Sequence, residues 1–479
     1  MDYRPLEEIK ENQSSHEVHK SVEGFELEED DLNDLDNGNG FEYKAYTYSD
    51  ADRSMRTITH KATDNEKLAL KSSPFHAALN IYRASLGTAF LAVPYLANLV
   101  GWKIFLLSIV MAVATTLYGT HMLLAVADSL GYYGSSYDKM LAFVFKKRWP
   151  MHVVKVVIVI SEMLGAIGNN LFIIDMLVYV FCEQGFFSQF CKPRLVYVLT
   201  SFILSAPIYL IINLKYFSYV SLISTLVASI ILLMLALQST EHLFSTENLE
   251  PSKKPQIYKF FIAFSVIFRT VQSILLVMPI RSSMANPNLF KTLHRNVTFL
   301  AALGFMVSYL LTIAAYGSII KPIVILSFPK EYTIFFVLAI LYGLATFLSY
   351  PIALFPIYTA LLESSMTKKY ILSAQDEKTK QNRTTVVMYI IRLICIVTVY
   401  AGVATNPNFI PFLGFLSASF TTTLAFFIPL IMYDAYFSAK GQLSTPLRIF
   451  NWILCAVMMI ISLVAIRDSL LNIYKKNSK

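Results

Sequence analysis

At 479 residues, with 55% hydrophobic side chains against 15% charged ones, the chain is too apolar for a soluble globular protein. The net charge of +8 hides a split, because residues 1–72 hold 18 of the 32 Asp and Glu but only 9 of the 40 Lys and Arg. The basic excess that remains is the mark of cytoplasmic loops on a membrane domain rather than of nucleic-acid binding. Four cysteines with no CxxC spacing exclude a disulfide scaffold or a zinc module.

The first 72 residues are polar and acidic, densest at ELEEDDLNDLD (26–36), and cannot bury enough apolar area to offset their ordering entropy. They are expected to form a disordered acidic cytoplasmic tail able to dock a cytosolic partner, ahead of a membrane domain over 73–479. YRPL (3–6) fits the Tyr-x-x-apolar pattern of endosomal and lysosomal sorting, so such a membrane stands beside the plasma membrane as the expected address. The composition predicts an all-α polytopic protein embedded in a lipid bilayer. Eleven apolar runs of bilayer-crossing length follow the tail, at about 76–98, 102–127, 151–181, 194–212, 217–238, 258–285, 295–319, 332–362, 385–405, 409–433 and 447–472. Lys and Arg gather in alternate connections, among them Lys146, Lys147 and Arg148, then Lys368 and Lys369, which places the N-terminus inside. The sequons at Asn12, Asn296 and Asn382 then lie inside and should carry no glycan.

Two runs contain a break at matching places. Span 1 reads ASLGTAFLAVPY, with Gly87 and Pro94, and span 6 reads VQSILLVMPIR, with Ser273 and Pro279. Each opens a set of five spans, the arrangement of an inverted-repeat transporter whose site lies at mid-membrane. In span 3, Glu162, Gly165, Ala166 and Asn169 share one small, polar face at helical spacing. An acid there is costly and therefore informative. Two readings of Glu162 stay open: a proton site, or the partner of an intramembrane arginine (Arg83, Arg269 or Arg392) in an ion pair that fixes packing. His121 reads as a packing residue, and Asp175 lies nearer the outer end of the same span. Cys182 and Cys191 share an outer loop, where they can pair or stay free thiols. Cys395 and Cys455 sit within spans as packing residues. No metal cluster, cofactor motif or nucleophile–base pair stands out, so neither an enzyme nor a metalloprotein is expected.

Several stretches are recognisable in order over about residues 74–473. SLGTAFLAVP (85–94), LLVMPIRSSMANP (275–287), YIIRLICIVTVYAGVATNPNF (389–409) and FLGFLSASFTTTLAFFIP (412–429) resemble the first, sixth, ninth and tenth helices of the amino acid/auxin permease family, above all its proton-coupled amino acid transporter branch. The resemblance implies a LeuT-like fold, five plus five inverted helices and an eleventh, and a secondary transporter of small neutral amino acids. It implies that main-chain N–H groups near Gly87, Thr88 and Ala89 receive the substrate carboxylate, as helix N-termini do. Carbonyls near Thr270, Val271 and Gln272, with Ser273, then face the ammonium group, and Ser349 and Tyr350 of span 8 and Gly414, Ser417 and Thr421 of span 10 are further lining candidates. The chain departs from the branch where its relatives titrate: Asn80 stands for a first-helix His, Gln272 for a Glu and Arg281 for another Glu. Asn and Gln carry no proton at any physiological pH. Proton coupling by that route is therefore doubtful, which leaves Glu162 as the replacement proton site to consider and facilitated exchange or uniport open beside it. A nutrient sensor that binds the same ligand and signals through its tail is the alternative.

Overall fold

The computed structural model describes residues 72–477 apart from 133, 135, 184–190, 211–214, 246–254, 329–332, 363–364, 374–375 and 406–407. The acidic stretch, YRPL and Asn12 lie outside the described residues. The described chain is helical throughout, with an isolated bridge between Ser72 and Met284 in place of any named strand. Eight of its helices are long and apolar enough to cross a membrane, and three shorter apolar helices, Thr88–Val100, Arg194–Tyr209 and Ile334–Leu348, fall where spans 1, 4 and 8 were expected.

Helix α1 (Pro74–Ser85) starts with Pro74 in its first turn and with Ser73 as N-cap, whose hydroxyl accepts from the His76 N–H. It stops at Leu86 and Gly87; a 3-10 turn, Thr88–Ala92, then leads into α2 (Val93–Val100). Gly101, at φ 87°, reverses the chain into α3 (Trp102–Leu130), which ends on left-handed Gly131. A short helix α4 (Tyr137–Phe145) packs on α5 (Trp149–Val178), an element absent from the span pattern because it is too short to cross. Next come α6 (Arg194–Leu210), α7 (Lys215–Ser245), and the second interrupted span, α8 (Phe260–Val271) and α9 (Ile274–Ser283). Then follow α10 (Phe290–Tyr316) and α11 (Thr333–Ala353). The expected single run 332–362 is divided by a turn at Leu354, beyond which α12 (Phe355–Leu362) and α13 (Ser365–Leu372) begin. Pro351 and Pro356 flank that turn and each lacks the N–H that a continuous helix needs. Last are α14 (Glu377–Ala404), α15 (Phe409–Leu416), which runs through π turns at Ser417–Thr421 and Thr423–Phe427 into α16 (Ile428–Ala439), and α17 (Thr445–Asn477).

Contacts between chain reversals fix the two ends of the bundle. At the near end, where α1 begins, the Ser72 N–H donates to Ser283 O and the Ala285 N–H to Ser72 O. At the far end, the Gln256 N–H donates to Leu99 O and Asn98 Nδ2 to the Gly317 carbonyl. The outer surface is apolar along single helix faces: Leu222, Leu226, Ile230, Leu233 and Leu237 on α7, and Val386, Ile390, Leu393 and Val397 on α14, are exposed. Such stripes at three- and four-residue spacing are stable against lipid tails and not against water. Helices also meet closely where side chains are small. A Cβ at Gly119 of α3 would stand 2.2 Å from the Ala425 carbonyl oxygen, so only glycine lets those backbones touch.

Candidate functional site

Both interruptions sit in the middle of the bundle, and α8 packs against α1, against the Thr88–Ala92 turn and against α2. The first break is built by loss of main-chain partners. Pro94 has no N–H for the carbonyl of Phe90, four residues back, and the Tyr309 hydroxyl of α10 donates to it instead, at 2.9 Å. The Leu86 carbonyl, at the end of α1, accepts from the Tyr342 hydroxyl of α11. Gly87 between them is exposed although Leu86 and Thr88 are buried, and a Cβ built on it meets no described atom within 4 Å. The first break therefore opens on space at its glycine. Thr88 and Ala89 are buried beside it, and the Thr88 hydroxyl donates to Asn169 Oδ1 at 2.7 Å, tying the turn to α5.

The second break is held by side chains. In an unbroken helix the Ile274 N–H would bond the Thr270 carbonyl; here Gln272 Oε1 takes it at 3.0 Å. The Ser273 hydroxyl, which would ordinarily cap α9, instead meets His294 Nε2 of α10 at 3.0 Å, with both side chains buried. Thr270 and Val271 are buried, and the Thr270 hydroxyl bonds back to Val266 O.

One face of α5 connects the two breaks. Asn169 holds Thr88 on the first, while Gly165, one turn earlier, lies against the second: a Cβ there would stand 3.3 Å from Arg269 Nη2. Glu162, a further turn back, is in electrostatic interaction with Arg269, which also donates through Nη1 to Thr421 at 2.9 Å. The stripe predicted in span 10 separates. Thr421 faces the arginine, but Gly414 packs against Ser469 and Ile262, where a Cβ would come within 2.7 Å of Ser469 Oγ, and the Ser417 hydroxyl turns to Leu413 O.

The remaining predicted residues lie elsewhere. Arg392 donates to the Tyr209 carbonyl at the end of α6 and stacks 4.8 Å over Tyr358. It thus caps a helix end and lies among α6, α12 and α14. Arg83 is half-buried on α1. Arg281 is buried and paired with Asp128 of α3. Ser349 and Tyr350 belong to α11, but their side chains lie outside the described residues. At the far end, Cys182 and Cys191 form a disulfide, Cα to Cα 4.8 Å, and Asp175 pairs with Arg194 across the same connection. Tyr309, Tyr342 and His294, the three side chains that grip the breaks, were not singled out by pattern. Each is a polar side chain in a largely apolar helix, His294 and Tyr309 sharing α10, and that signal is common to many packing residues.

Comparison with known proteins bears on what the two breaks hold. Residues 70–470 match the family described as transmembrane amino acid transporter protein. The chain is 27% identical over 200 residues to "Vacuolar amino acid transporter 3" of Schizosaccharomyces pombe, covering 42% of this chain and 29% of that protein. It is 38% identical over 87 residues to "Vacuolar amino acid transporter 3" of Saccharomyces cerevisiae, covering 18% and 13% respectively. The matched stretches thus span less than a third of either relative's length.

Proposed function

Because the chain belongs to the transmembrane amino acid transporter family, we propose that it carries small neutral amino acids across a membrane by alternating access. The observation that carries this reading is the pair of interrupted helices packed on each other, with an open glycine at the first break. A zwitterion fits between them by elementary electrostatics. Its carboxylate takes the N–H groups of Thr88 and Ala89, at the start of a turn that continues as a helix, and its ammonium takes the carbonyls that the second break frees near Thr270, Val271 and Gln272. The eleven spans then form two inverted sets of five and one more.

The preference for neutral side chains is supported by the charges beside the site. Glu162 and Arg269 contribute one acid and one base, so an uncharged side chain leaves the interior balanced, whereas a charged one adds an unpaired charge to a poorly solvated space. The mode we favour is exchange or uniport, since Asn80 and Gln272 cannot titrate, and Glu162 is the remaining acid for a coupling proton. The names of the relatives support a vacuolar membrane as the location.

Uptake of a panel of labelled amino acids into proteoliposomes, with and without a pH gradient, tests the whole reading. Saturable flux of alanine or serine that ignores the gradient is expected; absence of flux for every amino acid would overturn it. Glu162→Gln separates the two readings of that acid. A changed pH profile with normal folding marks a proton site, whereas loss of folded protein marks an ion pair, and Arg269→Gln in the same chain should then restore folding. Deleting residues 1–71 should leave flux intact in a carrier, and loss of signalling alone would favour the sensor.

A further inference from the structure

One cation near the site has no task in the binding scheme above. Arg83 lies on α1, one turn before the first break, and its guanidinium has neither a hydrogen bond nor an ion pair among the described residues. At about 100° per residue, His76, Asn80, Arg83 and Gly87 fall within about 60° of one another on one face of the helix. His76, Asn80 and Gly87 are exposed and Arg83 is half-buried, while Ala77, Ile81 and Ser85 on the other face are buried. An imidazole, an amide and a guanidinium in one row are costly against lipid, and the lipid-facing stripes of this protein are apolar. A row of this kind is stable where it meets water rather than lipid. This one leads from the near end of the bundle to the open glycine.

The second half of the same span gives the complementary observation. Every residue of Thr88–Val100 is buried except half-buried Tyr95, so no matching exposed row leads from the far end. The exposed row and the open glycine both lie on the near half of the span, where Arg83 has neither a hydrogen bond nor an ion pair among the described residues.

We propose that Arg83 is a specificity-determining residue of this near-side passage, drawing the carboxylate end of an amino acid inward and turning away amino acids with cationic side chains. The inference rests on the carrier reading. In a water-filled passage a single unpaired charge acts on ligands several ångströms away, with an effect that salt reduces. An amino acid without side-chain charge presents its carboxylate to Arg83 and is admitted; lysine brings a second ammonium into the same field and is penalised.

Competition in proteoliposomes with the near side facing the medium tests this, using labelled alanine as cargo and unlabelled lysine as competitor. In the unaltered chain, lysine should compete poorly, and better at high salt. Arg83→Gln should lower the lysine concentration needed for half-inhibition by about fivefold while the maximal alanine rate stays within about twofold. Arg83→Lys should behave as the unaltered chain. Because Arg83→Gln could disturb folding, Asn80→Asp provides a second route: it places an acid at i, i+3 from Arg83 on an exposed position and should relax the exclusion of lysine in the same way. If alanine is carried but neither variant changes the response to lysine, the proposal is overturned. If no amino acid is carried by the unaltered chain, it is the carrier reading that fails.

Discussion

Pro74–Ser85 and Thr88–Val100 are consecutive parts of one interrupted span, yet they occupy different surroundings. The first part buries one face and leaves a row of polar side chains exposed or half-buried; the second is buried throughout except at half-buried Tyr95. The near half is tied at its beginning through Ser72 to Ser283 and Ala285, in its middle by the Ser229 hydroxyl donating to that of Tyr82, and at its end through the Leu86 carbonyl to Tyr342. The far half is held along its length: Phe90 O by Tyr309, Asn98 by the Gly317 carbonyl, Leu99 O by the Gln256 N–H, with Gly101 against Pro255. The far half therefore has buried surroundings nearly throughout, whereas the near half combines anchored points with one exposed face, and local opening is easier where fewer groups are buried. In a carrier these two characters would exchange as the site turns to the other side.

The largest effect is expected at the junction of the halves. Gly87→Val should lower transport by about a hundredfold or more, since a branched side chain would fill the space where a substrate meets the backbone. Because a Cβ at Gly87 meets no described neighbour, the protein should still fold, and an unchanged thermal unfolding midpoint beside lost flux would confirm that division. Next is Asn98→Ala in the far half, which removes a 2.6 Å buried hydrogen bond and leaves the Gly317 carbonyl without that donor. A loss of about 1–3 kcal/mol is expected. It should be read as a lower unfolding midpoint together with increased labelling of cysteines introduced along α2. Tyr309→Phe strips only a hydroxyl from the Phe90 carbonyl, and a loss of about 1 kcal/mol, at the low end for an unsatisfied buried acceptor, should appear as a smaller drop in the same midpoint. The smallest change is expected in the near half: Asn80→Ala, at an exposed position, should stay within about 0.5 kcal/mol of the unaltered chain. A near-half substitution as costly as Asn98→Ala would erase the contrast between the two parts.

Much of the architecture could be read from the order of residues. The helical membrane class, the positions of the spans and the location of both breaks follow from apolar run length and from Gly and Pro placement, which are local properties. The face of α5 that carries Glu162, Gly165 and Asn169 was legible too, because helical periodicity alone aligns those three residues. Which arginine meets that face was not legible. Arg83, Arg269 and Arg392 look alike in an apolar run, and the choice among them depends on which helices become neighbours: Arg269 lies on α8, against α5, whereas Arg392 is drawn to the carbonyl of Tyr209 and the ring of Tyr358.

The sequence by itself determined which stretches are apolar enough to enter a membrane and where its helices must stop, since apolar run length is local and a missing N–H or a missing Cβ acts within one helical turn. Tertiary structure alone decided what occupies those stops. The carbonyls of Leu86 and Phe90 and the hydroxyl of Ser273 are met by Tyr342, Tyr309 and His294 from distant helices. A buried polar atom takes its partner from whatever folding brings within reach, at separations that no local pattern encodes.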